Sequence, residues 1–537
     1  MKTKCRLLLT LLVLAAPAAV EAQFYYTTNA DGTTLTVTGW DQSSYNVYIP
    51  SAAHGMAVTA IGREAFSGTD VTSITIPGSV TNFAEYAFDC PKLTAINVDP
   101  SNPTFSSVRG LLFNKSQTAL LAYPQGILET SCTIPTNVTS IGEAAFDGCY
   151  LLTNVTIPNS ITSIGNDAFS GTGLTSIMIP SSVTNIGAAP FAYCSGLAAI
   201  NVDPSNSAYC SVSGVLFNKG QTTLIEYPSA CIGTFYNIPN GVTTIGTSAF
   251  EGCSLTGVAI PGSVTSIGDY AFATTSLAAI NVDPSNPAYC SISGVLFNKG
   301  QTTLIQYPTA NIGTFYNIPN GVTSIGKEAF YECQLLTNVT IPNSMTSIGQ
   351  EAFGDCSSLT SVTIPSAVTE IGTNAFADCF SLTNVSIASG VTSIGRRAFS
   401  FAGLISVTIP GSVTNIGAEA FYGCSSLTNV SISNGVTSIG EGAFAGTSLT
   451  GVAIPASVIS IGDATFLVDS LTDVTVNTGN PAYSSVSGVL FNKSQTTLIQ
   501  YPSACIGTFY NIPNGVTTIG TSAFEGCSLT GVAIPGS

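Results

Sequence analysis

Histidine and tryptophan each occur once in this chain of 537 residues, and only 8% of the residues are charged. A lone His54 removes nearly every Ser-His-Asp or Cys-His nucleophile scheme and all His-rich metal sites. It lies in SAAHGMAV beside Gly55 and reads as a turn residue. Basic residues are scarcer than acidic ones, 13 against 29, for a formal net charge of −16. Nucleic acid and anionic lipid both need clustered Lys and Arg, so neither is an expected partner. Long apolar runs are also missing. Beyond the first 22 residues, nothing approaches the roughly 18 uninterrupted apolar residues of a membrane span.

The N-terminus reads as a signal peptide over 1–22. Lys2, Lys4 and Arg6 precede the apolar run from Leu7 to Ala16, and Val20-Glu21-Ala22 supplies small residues for cleavage after Ala22. Cys5 falls in the basic part, which speaks against a lipid attachment site. The expectation is a secreted or cell-surface protein with no transmembrane segment after the leader. With charge so sparse, its surface must be mainly Ser, Thr, Asn and Gly.

What the chain has in abundance is repetition. The phrase I-G-x-x-A-F-x-x-C-x-x-L-T-x-V-x-I-P-x-x-V-T-x recurs from residue 61, as in IGEAAFDGCYLLTNVTIPNSITS at 141–163. Its marker phenylalanines, such as Phe353, Phe376, Phe399 and Phe421, fall 22 or 23 residues apart, or else 58 or 59. A fixed period of this size is a solenoid signature. Within Leu152 to Pro158, L-x-x-V-x-I is a strand segment whose Val155 and Ile157 turn inward while Asn154 and Thr156 face out. Pro158 ends the strand, having no N–H for a ladder. The return path, with Ile161, Ile164, Gly165 and Phe169, reads as turns or short helical pieces. The expected fold is a mainly β leucine-rich repeat solenoid of about twenty rungs, with one parallel sheet along one face.

The longer gaps contain a second phrase, G-V/L-L-F-N-K-x-Q-T-x-L-I/L-x-Y-P, at 97–134, 201–238, 281–318 and 476–512. Apolar runs such as Val215-Leu216-Phe217 and Leu224-Ile225 flank a polar turn, which predicts four β-hairpins projecting from the solenoid. Residues 23–60 differ from the array, carry Trp40 and the turn signal Asn29-Ala30-Asp31-Gly32, and read as an N-terminal β cap; 61–537 form the solenoid. Residues 501–537 repeat 227–263 without a difference and stop in mid-phrase, so a truncated C-terminus is expected.

At these residues the chain resembles the BspA-like, or Treponema pallidum type, leucine-rich repeat proteins. The order at 353–376 is that family's, and GVLFNKGQTTLIQYP at 294–308 is similar to its hairpin module. The resemblance covers nearly all of the chain after the leader. It implies an exported surface protein, with adhesion to matrix proteins or cells known for some members, and C-terminal anchoring segments known for others.

Eight cysteines follow the marker Phe by three residues: Cys149, Cys194, Cys253, Cys333, Cys356, Cys379, Cys424 and Cys527. Thr172, Thr275 and Thr447 share that place, so a buried ladder of small residues is preferred to a metal site. Cys210 and Cys231 leave a disulfide open. Glu143, Asp167, Asp269, Glu441 and Asp463 recur near the I-G turn; recurrence favours solvated turns over a catalytic pair. Asp99, Asp203 and Asp283 lie in N-V-D-P-S-N and read as Asp-Pro turns rather than calcium ligands. Neither an enzyme nor a cofactor is expected. The outward strand residues are the candidate ligand face: Asn154, Thr156, Ser176, Asn338, Thr340, Ser361, Thr363, Asn384, Ser386, Asn429 and Ser431. This ribbon of small hydrogen-bonding groups reads as lacking aromatic anchors, so binding should sum over many rungs. The functional expectation is a binding protein for an extracellular protein or glycan, acting in adhesion. The alternative is a structural spacer presenting a missing anchor or module.

Overall fold

The computed structural model describes residues 24–41, 44–231, 233–505 and 507–536. The leader expected over 1–22 lies outside them. The chain divides into two compact units, Met1–Leu174 with Ser182–Pro190, and Thr175–Ser181 with Phe191–Ser537. Both are β-solenoids, about 23 turns in all, and the described residues contain no helix.

One rung shows how the sequence makes the coil. Ser361–Ile364 is a strand whose Val362 and Ile364 are buried while Thr363 is exposed, and it stops at Pro365. It pairs in parallel with Asn384–Ile387, Val362 beside Val385 and Thr363 beside Ser386. Like therefore stacks on like. The marker phenylalanines follow the same rule. In the second unit Phe353, Phe376, Phe399 and Phe421 stack with centroids 5.1, 5.4 and 5.4 Å apart and planes within 8°. Phe146 and Phe169 do so in the first unit at 4.9 Å.

The parallel front face expected from the sequence is joined by a second ladder that the sequence reading did not include. The front ladder carries the L-x-x-V-x-I strands. A back ladder runs through the return path, where the Ser-Ile pair of V-T-S-I-G is itself extended. Ser324–Ile325, Ser347–Ile348, Glu370–Ile371, Ser393–Ile394, Asn415–Ile416, Ser438–Ile439 and Ser460–Ile461 pair in sequence. The remaining path consists of turns, so the short helical pieces are absent from the described residues. Two residues make a strand here because the ladder supplies partners on both sides; no isolated dipeptide would hold that shape.

The four hairpin modules do not project. Each is a three-stranded antiparallel meander, as in Tyr289–Ile292, Val295–Asn298 and Thr303–Gln306. Its third strand continues into the back ladder beside Ser324–Ile325. Val295, Leu296, Phe297 and Leu304 are buried, and Ile280 of the preceding front strand donates its N–H to Gly294 at 2.8 Å. The apolar V-L-F runs dock the meander onto the core. A buried asparagine fastens it further. Asn286 Nδ2 donates to the carbonyls of Pro261 and Val264 (2.8 and 2.9 Å), and its Oδ1 accepts from the amides of Ala288 and Tyr289 (2.9 and 2.8 Å). Asn102 and Asn480 repeat this pattern.

At the N-terminus, Phe24–Thr28 lies antiparallel on Thr34–Trp40, and Asn46–Tyr48 pairs in parallel with Ser73–Ile76. Cysteine and threonine share a column because both donate a hydrogen bond. Cys356 and Cys379 thiols reach the carbonyls of Phe330 and Phe353 in the rung before (3.0 and 3.1 Å), whereas Thr447 bonds to Phe444 of its own rung at 2.8 Å. Burial pushes the Cys356 thiol up to about 12, so it is inert at neutral pH. Cys210 and Cys231 are not joined; their thiols face the carbonyls of Asn218 and Ser213 at 3.4 and 3.9 Å.

Replacing Asn286 with Ala strips partners from two carbonyls and two amides at a site with no exposure. We expect a loss of about 3 kcal/mol or more, read as faster amide exchange across Tyr289–Ile292, with the rungs beyond Ser438 unaffected.

Candidate functional site

All eleven outward residues selected from the sequence lie on front strands. Ten are exposed and Ser361 is half-buried. The structure does not bring all eleven into one sheet. The longest front sheet joins Phe315–Asn317, Asn338–Thr340, Ser361–Ile364 and Asn384–Ile387. Across it Asn338, Ser361 and Asn384 form one row, and Thr363 and Ser386 pair in another that Thr340 extends. Asn429 and Ser431 sit in a two-stranded sheet beside Ser406 and Thr408. Ser176 pairs with Ala199, and Asn154 and Thr156 pair with Ser131 and Thr133. Ser406 and Thr408 occupy the same repeat positions and belong to the same outward face.

The ribbon also has the aromatic anchors that the sequence reading denied it. Phe235, Phe315 and Phe509 point outward from the F-Y-N strands and are 48%, 50% and 58% exposed. Phe315 stands directly beside Asn338, and so heads the longest row. The signal was present in the sequence, since the alternation F-Y-N-I places Tyr316 and Ile318 inward and Phe315 outward.

A second surface lies along the turn edge, and sequence reasoning did not find it. Two residues before the marker Phe the backbone is left-handed, with φ of 53° at Glu328, 54° at Glu351, 52° at Asn374 and 53° at Arg397. This region is costly for such residues. The cost is offset because each N–H then donates to the next rung: Glu328 to Gln350, Glu351 to Thr373, Asn374 to Arg396 and Arg397 to Ala418, at 2.9–3.0 Å. The side chains stack as a polar column that runs from buried Glu328 through half-buried Glu351 and Asn374 to exposed Arg397.

That column is charged where the four-stranded front sheet is not. Asn374 and Gln350 donate to Glu351 Oε1 at 2.9 and 3.2 Å. Burial, then the hydrogen bond to Glu351 and its charge, push Glu328 up to about 9, so it is a neutral acid donating to its neighbour. Burial would raise Glu351, but the hydrogen bonds from Glu328, Asn374 and Gln350 bring it below the ordinary value. Glu419 is held below the ordinary range as well, its burial outweighed by Arg397 and Arg396. A cavity of about 450 Å³ opens on this edge between Tyr331, Asp355, Asp378, Arg397, Phe401 and Tyr422.

The remaining motifs are structural. Asp99, Asp203 and Asp283 each accept hydrogen bonds from the Ser two residues on, at 2.6–2.8 Å, which closes the Asp-Pro turn. His54 has φ 52° and packs edge-on against Tyr26. Among the described residues, no group of three or more His, Cys, Asp or Glu side chains is placed to hold a metal ion.

The repeat, the ladders and the meanders together define a leucine-rich repeat solenoid. The model of the BspA type leucine rich repeat region matches six stretches, 43–131, 125–232, 229–310, 307–419, 397–508 and 504–537, and the chain belongs to that family. Among solved structures it is similar to a leucine rich cell surface protein from Faecalibacterium prausnitzii (26% identity, 78% of this chain and 96% of that one, TM-score 0.32). It is also similar to the pneumococcal vaccine antigen PcpA (18%, 96% and 98%, TM-score 0.35) and the T. pallidum leucine rich repeat protein (17%, 63% and 87%, TM-score 0.19). At these TM-scores the family assignment rests on the repeat match. No curated protein matches this chain.

The turn edge makes stability pH-dependent in a defined direction. Glu328 titrates near 9 in the folded state against an ordinary 4.5, so the folded protein keeps a proton that the unfolded chain releases. The stabilisation is full below the ordinary value and is lost as pH rises through the folded one. Denaturation midpoints of Glu328→Gln should fall less than those of the parent between about pH 5 and pH 9. Parallel curves would show that Glu328 is ionised in the fold.

Proposed function

We propose that this protein is exported to the cell surface or beyond and binds an extracellular protein or glycan across its front strand face, acting in adhesion. The observation that carries the reading is the four-stranded sheet headed by exposed Phe315, with outward Asn338, Ser361 and Asn384 in one row and Thr340, Thr363 and Ser386 in the other. This is a broad, uncharged, hydrogen-bonding surface with an aromatic at one end. Each small polar group offers little by itself, so affinity must accumulate over rungs, with the aromatic contributing most. Membership in a family with surface-protein relatives supports the location.

The test is binding of the purified chain to a panel of matrix proteins and polysaccharides. A variant carrying Thr340→Lys, Thr363→Lys and Ser386→Lys should fold normally, these positions being solvent-facing, yet lose saturable binding. Phe315→Ala should weaken it by more than any single Ser or Thr substitution. Binding that survives the triple lysine variant would exclude this face.

A further inference from the structure

Each meander interrupts the ring column. Tyr123 stacks on Phe146 at 5.2 Å, and Tyr307 on Phe330 at 5.1 Å, where a marker phenylalanine would otherwise stand. The meander brings no I-G-x-x-A-F turn of its own, so the turn edge has a notch between the rung before it and the rung after it. The four notches differ. At the second, Tyr193 from the rung before donates its hydroxyl to Glu251 from the rung after. At the third, Lys327 from the rung after places its Nζ 4.1 Å from the centre of the Tyr270 ring in the rung before. Both are bridged by the chain's own side chains. At the fourth, a cavity of about 160 Å³ remains.

The first notch holds about 420 Å³. Its floor is apolar, with Phe88, Ile96 and Leu121, and Gln125 braces it by donating to Asp89 Oδ1 and the Asp147 carbonyl at 2.8 and 3.0 Å. Its mouth carries Tyr86, Glu85, Glu143 and Asp147. Tyr86 occupies the repeat position of Tyr270, two residues before the marker Phe. Glu143 occupies that of Lys327, three before it. The first notch therefore has the aromatic platform of the third, but a carboxylate where the third has its ammonium. Arg63, 5.6 Å from the Tyr86 ring centre, comes from the preceding rung and is paired with Glu64 at 3.2 Å.

We propose that the first notch receives a lysine or arginine side chain of a protein partner. The methylenes lie on Phe88 and Leu121, and the charged head lies between the Tyr86 ring and the carboxylates of Glu143 and Asp147. The occupant's chemistry is the chain's own: it is what Lys327 supplies at the third notch. The formal charge of −16 favours a basic partner segment. The inference rests on the protein-binding reading above and adds a contact away from the strand face.

The probe is a blocked tri-lysine peptide, titrated into the purified chain by calorimetry at physiological salt. One saturable site is expected. Glu143→Lys, which copies the third notch, should weaken it at least about tenfold, the scale of a desolvated cation–π and ion-pair contact. Lys327→Glu should open the third notch and raise the stoichiometry from one to two. Other rungs carry Glu441, Asp463 and Asp269 at this repeat position, so the change fits the fold. Glu370→Lys, the same charge change at an exposed back-ladder residue, should leave binding unaltered. The proposal is overturned if Glu370→Lys weakens binding as much as Glu143→Lys, if Lys327→Glu adds no site, or if the parent binds a blocked tri-tyrosine peptide in place of tri-lysine. The triple lysine variant of the strand face separates the two readings: it should retain the tri-lysine site even where adhesion is lost.

Discussion

The spacing between hydrogen-bonded strands, about 4.8 Å, governs this molecule. Once the front and back ladders set that repeat, every residue has its counterpart from the next rung directly beside it. A column must then hold side chains that tolerate contact with themselves. Phenylalanine does so as a parallel stack, with planes 1° apart between Phe421 and Phe444. Threonine does so by chaining hydroxyl to carbonyl, as Thr383 to Thr360 and Thr360 to Thr337 at 3.4 and 3.0 Å. Buried charge does so poorly, which is why charged residues are few and most stand on the surface; the buried acids Glu226 and Glu328 are exceptions, and burial pushes Glu328 up to about 9. The composition, rich in Thr, Ser, Ile, Val and Phe and poor in charge, follows from the ladder.

Two identical segments show how much burial depends on neighbours. Residues 227–263 and 501–537 have the same sequence. Ile245 and Val258 have no exposure, while the matching Ile519 and Val532 are 44% and 37% exposed. Ile267 and Ile280 of the following rung stand directly beside the first pair. Burying one such side chain contributes about 1.5–3 kcal/mol, so a coil draws its stability from the adjacent coils rather than from its own sequence.

This dependence also decides what could be read in advance. The front strands were legible because V-x-I-P has period two, a proline stop and many copies, and the outward positions of Asn338 and Thr363 followed from that alternation. The back ladder was not, because Ser-Ile is too short to register as a strand until its partners are known. The meander's first strand, Tyr289-Cys290-Ser291-Ile292, also lacks a usable alternation; its pairing with Val295–Asn298 is set by the docked V-L-F core and by Asn286. Phe315 is legible as well, since the alternation of F-Y-N-I turns Tyr316 inward and leaves Phe315 outward. The turn edge was hidden for a different reason. Glu, Tyr and Arg give no sign of a left-handed backbone, and their recurrence near I-G suggested only solvated turns.

A perfect array would offer the same surface at every rung and no place for a ligand to prefer. Preference requires unlike neighbours, and the ladder creates them in two ways. On the front face the F-Y-N rung at Phe315 puts an aromatic at the head of a small polar row, whereas Phe235 and Phe509 stand beside Gly257 and Gly531. On the turn edge a meander removes one turn, so side chains two coils apart in sequence become neighbours, and four copies of one architecture reach different outcomes: Tyr193 with Glu251, Tyr270 with Lys327, an open mouth at Tyr86 and Glu143, and a small cavity near Asp463. The backbone is common to all four, so what distinguishes them is carried by two or three outward side chains. Recognition in such a protein is therefore expected to concentrate where the repeat is broken, with the regular rungs setting the distance between those points.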